Sequence, residues 1–103
     1  MSNQFIYSVI VSLHKSVPQS TFDYACHKIQ KLEVGQIVKV PFGKKATWGV
    51  IEKLQEDRKD IQIKQIIKVF DGYILSGYLM RFINWVAEWN FTSKGSVLKL
   101  VLS

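Results

Sequence analysis

The chain has one cysteine, two prolines, two histidines and eight acidic residues among 103. Each scarcity narrows what it can do. A single thiol, Cys26, cannot form an internal disulfide, which fits a reducing compartment. Cys26 and His27 are not expected to work as a nucleophile pair, because neighbours on a strand point to opposite faces. Cys26 reads as a buried bystander, and His14 and His27 as isolated surface or structural residues. No Walker-type glycine loop, no His/Cys metal set and no usefully spaced carboxylate pair is present. The chain itself is therefore expected to be no enzyme and to carry no metal or other cofactor. Long apolar runs are missing too. Phe5 to Leu13 falls far short of the roughly 20 residues that cross a bilayer. No positive segment precedes it and no small-residue cleavage site follows it. No membrane partner is expected, and the chain reads as cytoplasmic and mature as written.

What is present describes one globular domain, residues 1–103. Hydrophobic residues make up 48% and charged residues 21%, enough for one core. Fourteen Lys and Arg against eight Asp and Glu leave a net charge of +6. That excess favours polyanion partners, although solubility alone accounts for it equally well.

Along the chain, Phe5 to Leu13 is β-branched and aromatic and predicts a strand. A break at Pro18-Gln19-Ser20 leads to a short second strand, Thr21 to Cys26. Alternation there puts Phe22 and Tyr24 on one face and Asp23 on the other, unless a bulge swings all three to one rim. Glu33 to Gln36 is a turn. Ile37 to Val40 and Thr47 to Leu54 form a hairpin, with Pro41 ending the pairing and Gly43 allowing the sharp turn. Glu56 to Asp60 reads as a solvated charged loop, and Lys64 to Phe70 as another strand. The period then changes to three and four at Leu75, Tyr78, Leu79, Phe82, Val86 and Trp89. This predicts a helix from about Gly77 to Asn90, with Ser76 as its N-cap. Tyr78, Phe82, Trp85 and Trp89 are expected in the core. Lys94 to Leu102 reads as a short tail or final strand, and its apolar end predicts more chain beyond. The fold class is α+β: a small, twisted, partly closed antiparallel sheet with one C-terminal amphipathic helix packed on it.

Two stretches carry the chemistry. Thr21-Phe22-Asp23-Tyr24 holds a carboxylate between two rings, and Val40-Pro41-Phe42-Gly43-Lys44-Lys45 is a rigid turn ending in a glycine and two cations. Together they would make a cup with an acidic floor, aromatic walls and a basic lip. Each feature also has a plain structural explanation. Asp23 can cap a turn, Phe22 and Tyr24 can be core, Gly43 can serve turn geometry alone, and Lys44 and Lys45 can be solvated. Trp48 reads as either core or rim.

These stretches, with Gly35, Gly49-Val50-Ile51, Lys64 seven residues before Asp71, and Trp85 on the helix, resemble the amino-terminal domain of the PriA family. PriA, or primosomal protein N′, is the bacterial replication-restart helicase. The resemblance covers nearly the whole chain. It departs from the family at Ala25-Cys26-His27-Lys28 and Asp71-Gly72-Tyr73-Ile74, which lack expected prolines, so local loop shape is in question there. The resemblance implies binding of the 3′ end of the nascent leading strand at stalled or repaired forks through Phe22, Asp23, Tyr24, Gly43 and Lys64. It implies DNA as the partner and, through the full-length protein, other primosome proteins. It also implies that the ATP-dependent 3′-to-5′ helicase motor, its ATP and its zinc lie outside this chain.

The residues suit such a role. A 3′-hydroxyl can donate to the Asp23 carboxylate, whereas a continuing strand would set a phosphate against it. Phe22 and Tyr24 can stack on any base. Lys64 can take phosphate as a point charge, with Lys44 and Lys45 as further candidate phosphate contacts. The alternatives are a protein-interaction or scaffolding domain and a general single-stranded DNA binder.

Overall fold

The computed structural model describes residues 4–13, 19–27, 31–55, 62–90 and 92–103. The elements are β1 (Phe5–Val11), β2 (Thr21–Cys26), β3 (Gln36–Phe42), β4 (Lys45–Leu54), β5 (Lys68–Ile74), α1 (Gly77–Asn90) and α2 (Lys94–Leu102). The strands form one sheet in the order β2-β1-β4-β3-β5. Every neighbouring pair is antiparallel. β1 lies inside the sheet with both faces covered, which is why its sequence is apolar almost without alternation. The sheet curls without closing. Ala25 N donates to Lys64 O at 2.9 Å, Ile66 N to Ala25 O at 2.8 Å and Ile67 N to Lys39 O at 2.8 Å. Residues 64–67 thus run from the outer edge of β2 across to β3, and they carry the partial closure that the sequence predicts.

The sheet buries a different core on each face. On the inner face Tyr7, Val9, Tyr24, Val38, Val40 and Ile51 pack together inside the curl. On the outer face Ile10 and Val50 pack under Met80, Ile83 and Ala87 of α1 and Val97 and Leu98 of α2. Strand parity alone separates the two sets, since Val9 and Ile10 are neighbours on β1. The lone cysteine, Cys26, is buried in the inner core, and His27 beside it is exposed.

Several expectations change. There are two C-terminal helices, not one. Residues 94–102 form a helix because Ser93 caps it, its hydroxyl accepting from Ser96 N at 3.2 Å. Gly95 then seats the first turn against β1 and Ser20. Its N–H donates to Ser20 Oγ at 2.8 Å, and a Cβ there would stand only 2.2 Å from Val11 O. Lys94 Nζ adds an ion pair to Glu52 Oε2 at 2.6 Å.

The last strand is Lys68–Ile74 rather than 64–70. Gly72, at φ 88°, does not end it but absorbs a wide bulge, in which five steps along β5 answer two along β3. Pro41 does not end β3 either and faces Ala46 across the ladder. The paired register with β5 reaches only Lys39, so the N–H that Pro41 lacks is not needed there.

α1 begins as expected, with Leu79 N donating to Ser76 Oγ at 3.1 Å. Its buried face, however, is Met80, Ile83 and Ala87. Tyr78, Phe82, Trp85 and Trp89 point out, with exposures between 42% and 71%. The helix is apolar most of the way round, so the 3.6-residue period fits two faces. The sheet takes the face with smaller side chains, which allows closer approach. The charged loop at 56–60 and His14 lie outside the described residues.

Candidate functional site

Three segments meet at the outer edge of β2. β2 pairs with β1 in unbroken register from Phe5↔Cys26 to Ile10↔Thr21, so no bulge intervenes. Alternation therefore sends Phe22 and Tyr24 inward with the core and turns the Asp23 side chain to the other face. β2 is also an edge strand, and a cleft at its open edge borders on both faces. The end of the β3–β4 hairpin forms the second wall. The bridging segment that carries Lys64 forms the third.

The result is a cleft of about 260 Å³ lined by Phe22, Asp23 and Tyr24 from β2, by Pro41, Phe42 and Gly43 from the hairpin, and by Lys64. All five residues singled out for end binding thus line one cleft. Lys44 and Lys45 are exposed just beyond it and do not line it. Pro41 and Phe42 do, beyond their part in the turn. The signal for Phe42 was its parity with Val38 and Val40, which aims it at the inner face.

The walls are held from behind. The Phe22 and Phe42 rings meet edge to face, with centroids 5.3 Å apart at 60°. Both are half-buried against the inner core. The Tyr24 ring is buried within that core, and its hydroxyl donates to Pro41 O at 2.8 Å. That bond ties β2 to the hairpin at the cleft. Burial raises the Tyr24 phenol above its ordinary value of 10.0, so it stays a neutral donor at physiological pH. Asp23 is half-buried, and its Oδ1 accepts from Gln55 Nε2 at 3.3 Å. Gln55 is in turn anchored where its N–H donates to Ile6 O at 2.8 Å. Lys64 is exposed at the opening, while its backbone is fixed by the bond from Ala25.

Gly43 has φ 62°, the left-handed conformation that the tight turn requires. A Cβ at this position would meet no atom within 4 Å. The space beside the Gly43 backbone is therefore open to a ligand. The cleft can thus offer ring edges and faces, a carboxylate, an open backbone and one ammonium to a small polar group with an attached ring.

Comparison with known proteins gives the family. A family model described as the PriA 3′ DNA-binding domain (3′BD) matches residues 8–103. The Replication restart protein PriA of Rickettsia conorii is 28% identical over 98 residues, which cover 94% of this chain. The chain spans about 15% of that relative's length. Residues 8–103 take in nearly all of the sheet and both helices, and the chain belongs to the PriA 3′ DNA-binding domain family.

Proposed function

We propose that this domain binds the 3′-hydroxyl end of a DNA strand, without base preference, in the cleft between β2 and the β3–β4 hairpin. The observation that carries the reading is the meeting of Phe22, Asp23, Tyr24, Gly43 and Lys64 in one hollow, from three separate segments of the chain. In this reading the terminal base rests on the Phe22 and Phe42 walls, where stacking serves any base. The terminal hydroxyl donates to the Asp23 carboxylate. The bond from Gln55 Nε2 holds that carboxylate in place at the cleft. Lys64 takes the last phosphate, and Lys44 and Lys45 meet the strand just outside. A strand that continued past the cleft would bring a phosphate to Asp23, with like charge and no proton to donate.

At a stalled or repaired fork the end recognised in this way is that of the nascent leading strand. The domain would position a replication-restart helicase there, with other primosome proteins joining through the longer protein. The motor, its ATP and its zinc would reside in the rest of that protein, in the cytoplasm.

The test is fluorescence anisotropy with one oligonucleotide ending in a 3′-hydroxyl or a 3′-phosphate. A hydrogen bond to a charged group contributes about 1.5–3 kcal/mol, so the hydroxyl form should bind roughly tenfold or more tightly. Asp23→Ala should narrow that gap, and Lys64→Ala should weaken both forms. Equal affinity of the unmodified domain for the two ends would overturn the reading.

A further inference from the structure

A second aromatic and basic surface lies on the outer face of the sheet, beyond the cover of the helices. Cα register sets Trp48 opposite Lys39 and Lys39 opposite Lys68, a row across β4, β3 and β5. The Trp48 ring leans on Phe70 with centroids 4.6 Å apart at 38°. Lys68 Nζ stands 5.1 Å from the centroid of the same Phe70 ring. A groove of about 470 Å³ continues from these two rings to Ile37, Tyr73 and Leu102. Gly72 makes this possible, because the bulge that it absorbs reverses the parity of β5 and brings Tyr73 to the side of Phe70. Trp48 is 47% exposed and Tyr73 67%. Among the described residues neither Lys39 nor Lys68 has a carboxylate partner.

Rings in water, flanked by ammonium groups without counter-charges, match a ligand that is itself ringed and anionic. Single-stranded nucleic acid has that chemistry at every residue, since each base has a stacking face and each linkage a negative charge. We propose that this face is a second contact for single-stranded nucleic acid. Trp48 and Tyr73 receive bases, Phe70 backs the indole, and Lys39 and Lys68 hold the adjoining phosphates. Nothing in this row distinguishes an end from a middle, because no carboxylate is among the described residues that line the groove. The contact therefore goes beyond the end-binding reading and does not depend on it. It would hold the body of a strand whether or not its terminus is engaged.

The test uses a fluorescent, ligated circle of single-stranded DNA, which has no 3′ end, alongside the linear hydroxyl and phosphate strands. The domain should bind the circle, and Trp48→Leu should weaken that binding about tenfold, the effect of one lost stacking contact. The double variant Lys39→Gln, Lys68→Gln should lower the slope of log affinity against log salt by about 1.4, since each phosphate contact on a single strand contributes about 0.7. No binding of the circle by the unmodified domain, or equal binding by it and both groove variants, would overturn the proposal. A domain that prefers the hydroxyl end and ignores the circle loses the second contact and keeps the first. One that binds the circle through Trp48 and the two lysines, and treats both linear ends alike, does the reverse.

Discussion

The end cleft and the outer groove are both walled by aromatic rings beside lysines, but their rings are held differently. In the cleft, Tyr24 is 4% exposed, and Phe22 and Phe42 lean on the same inner core. The cleft is therefore an extension of the core, and its shape is coupled to the stability of the fold. In the groove, Trp48 and Phe70 lean on each other, and Tyr73 stands largely in water. The groove is laid over a finished sheet. Two surfaces of similar composition can thus differ in rigidity, and only the packing behind the rings tells them apart.

The largest expected effect separates the two regions directly. Tyr24→Ala should lower unfolding free energy by about 3 kcal/mol, the usual cost of emptying a buried aromatic site. Trp48→Ala should cost only about 1 kcal/mol, in the range of one exposed ring pair. Urea denaturation of both variants measures this, and costs in the opposite order would break the comparison. A finer cut is Tyr24→Phe, which keeps the ring and removes the hydroxyl. Pro41 O then loses its donor, at a cost of about 1 kcal/mol, and the hairpin loses its tie to β2. Affinity for a 3′-hydroxyl strand should fall with it, while affinity for the circle stays.

The smallest effect concerns pH. Burial raises the Tyr24 phenol above 10.0. Burial is also the main cause that raises Tyr7, partly offset by the bond from Leu32 N, with Cys26 a further raising influence. Groups whose values are raised by folding keep their protons longer in the folded state than in the unfolded one. Their contribution to stability is complete below pH 10 and is lost as pH rises through the folded values. Denaturation midpoints should therefore drop on the alkaline side, and the drop should be shallower in Tyr24→Phe.

Much of this was legible in the chain. β2 runs from Thr21 to Cys26 and α1 from Gly77 to Asn90, as alternation, helical spacing and the Ser76 cap predicted. What failed to show was non-local. The Ser93 cap was a readable helix start, but the apolar stretch after it fitted a strand as well. Asp71 to Ile74 read as loop after a strand ending at Phe70, and in the fold the left-handed φ of Gly72 serves a bulge inside a strand. Of the cleft, the residues of β2 and the hairpin were visible as types and Phe42 as a parity. Gln55, which holds Asp23, had no local signal, since its bond spans 32 residues.

The sequence by itself determined the first four strands, the first helix with its cap, and the hairpin with its left-handed glycine, because these depend on residues a few positions apart. The tertiary structure alone decided which face of α1 is buried, that residues 64–67 bridge β2 and β3, and that the cleft residues share one hollow. Local periodicity shows which side chains share a face. Which face leaves water depends on the surface that distant segments bring to meet it.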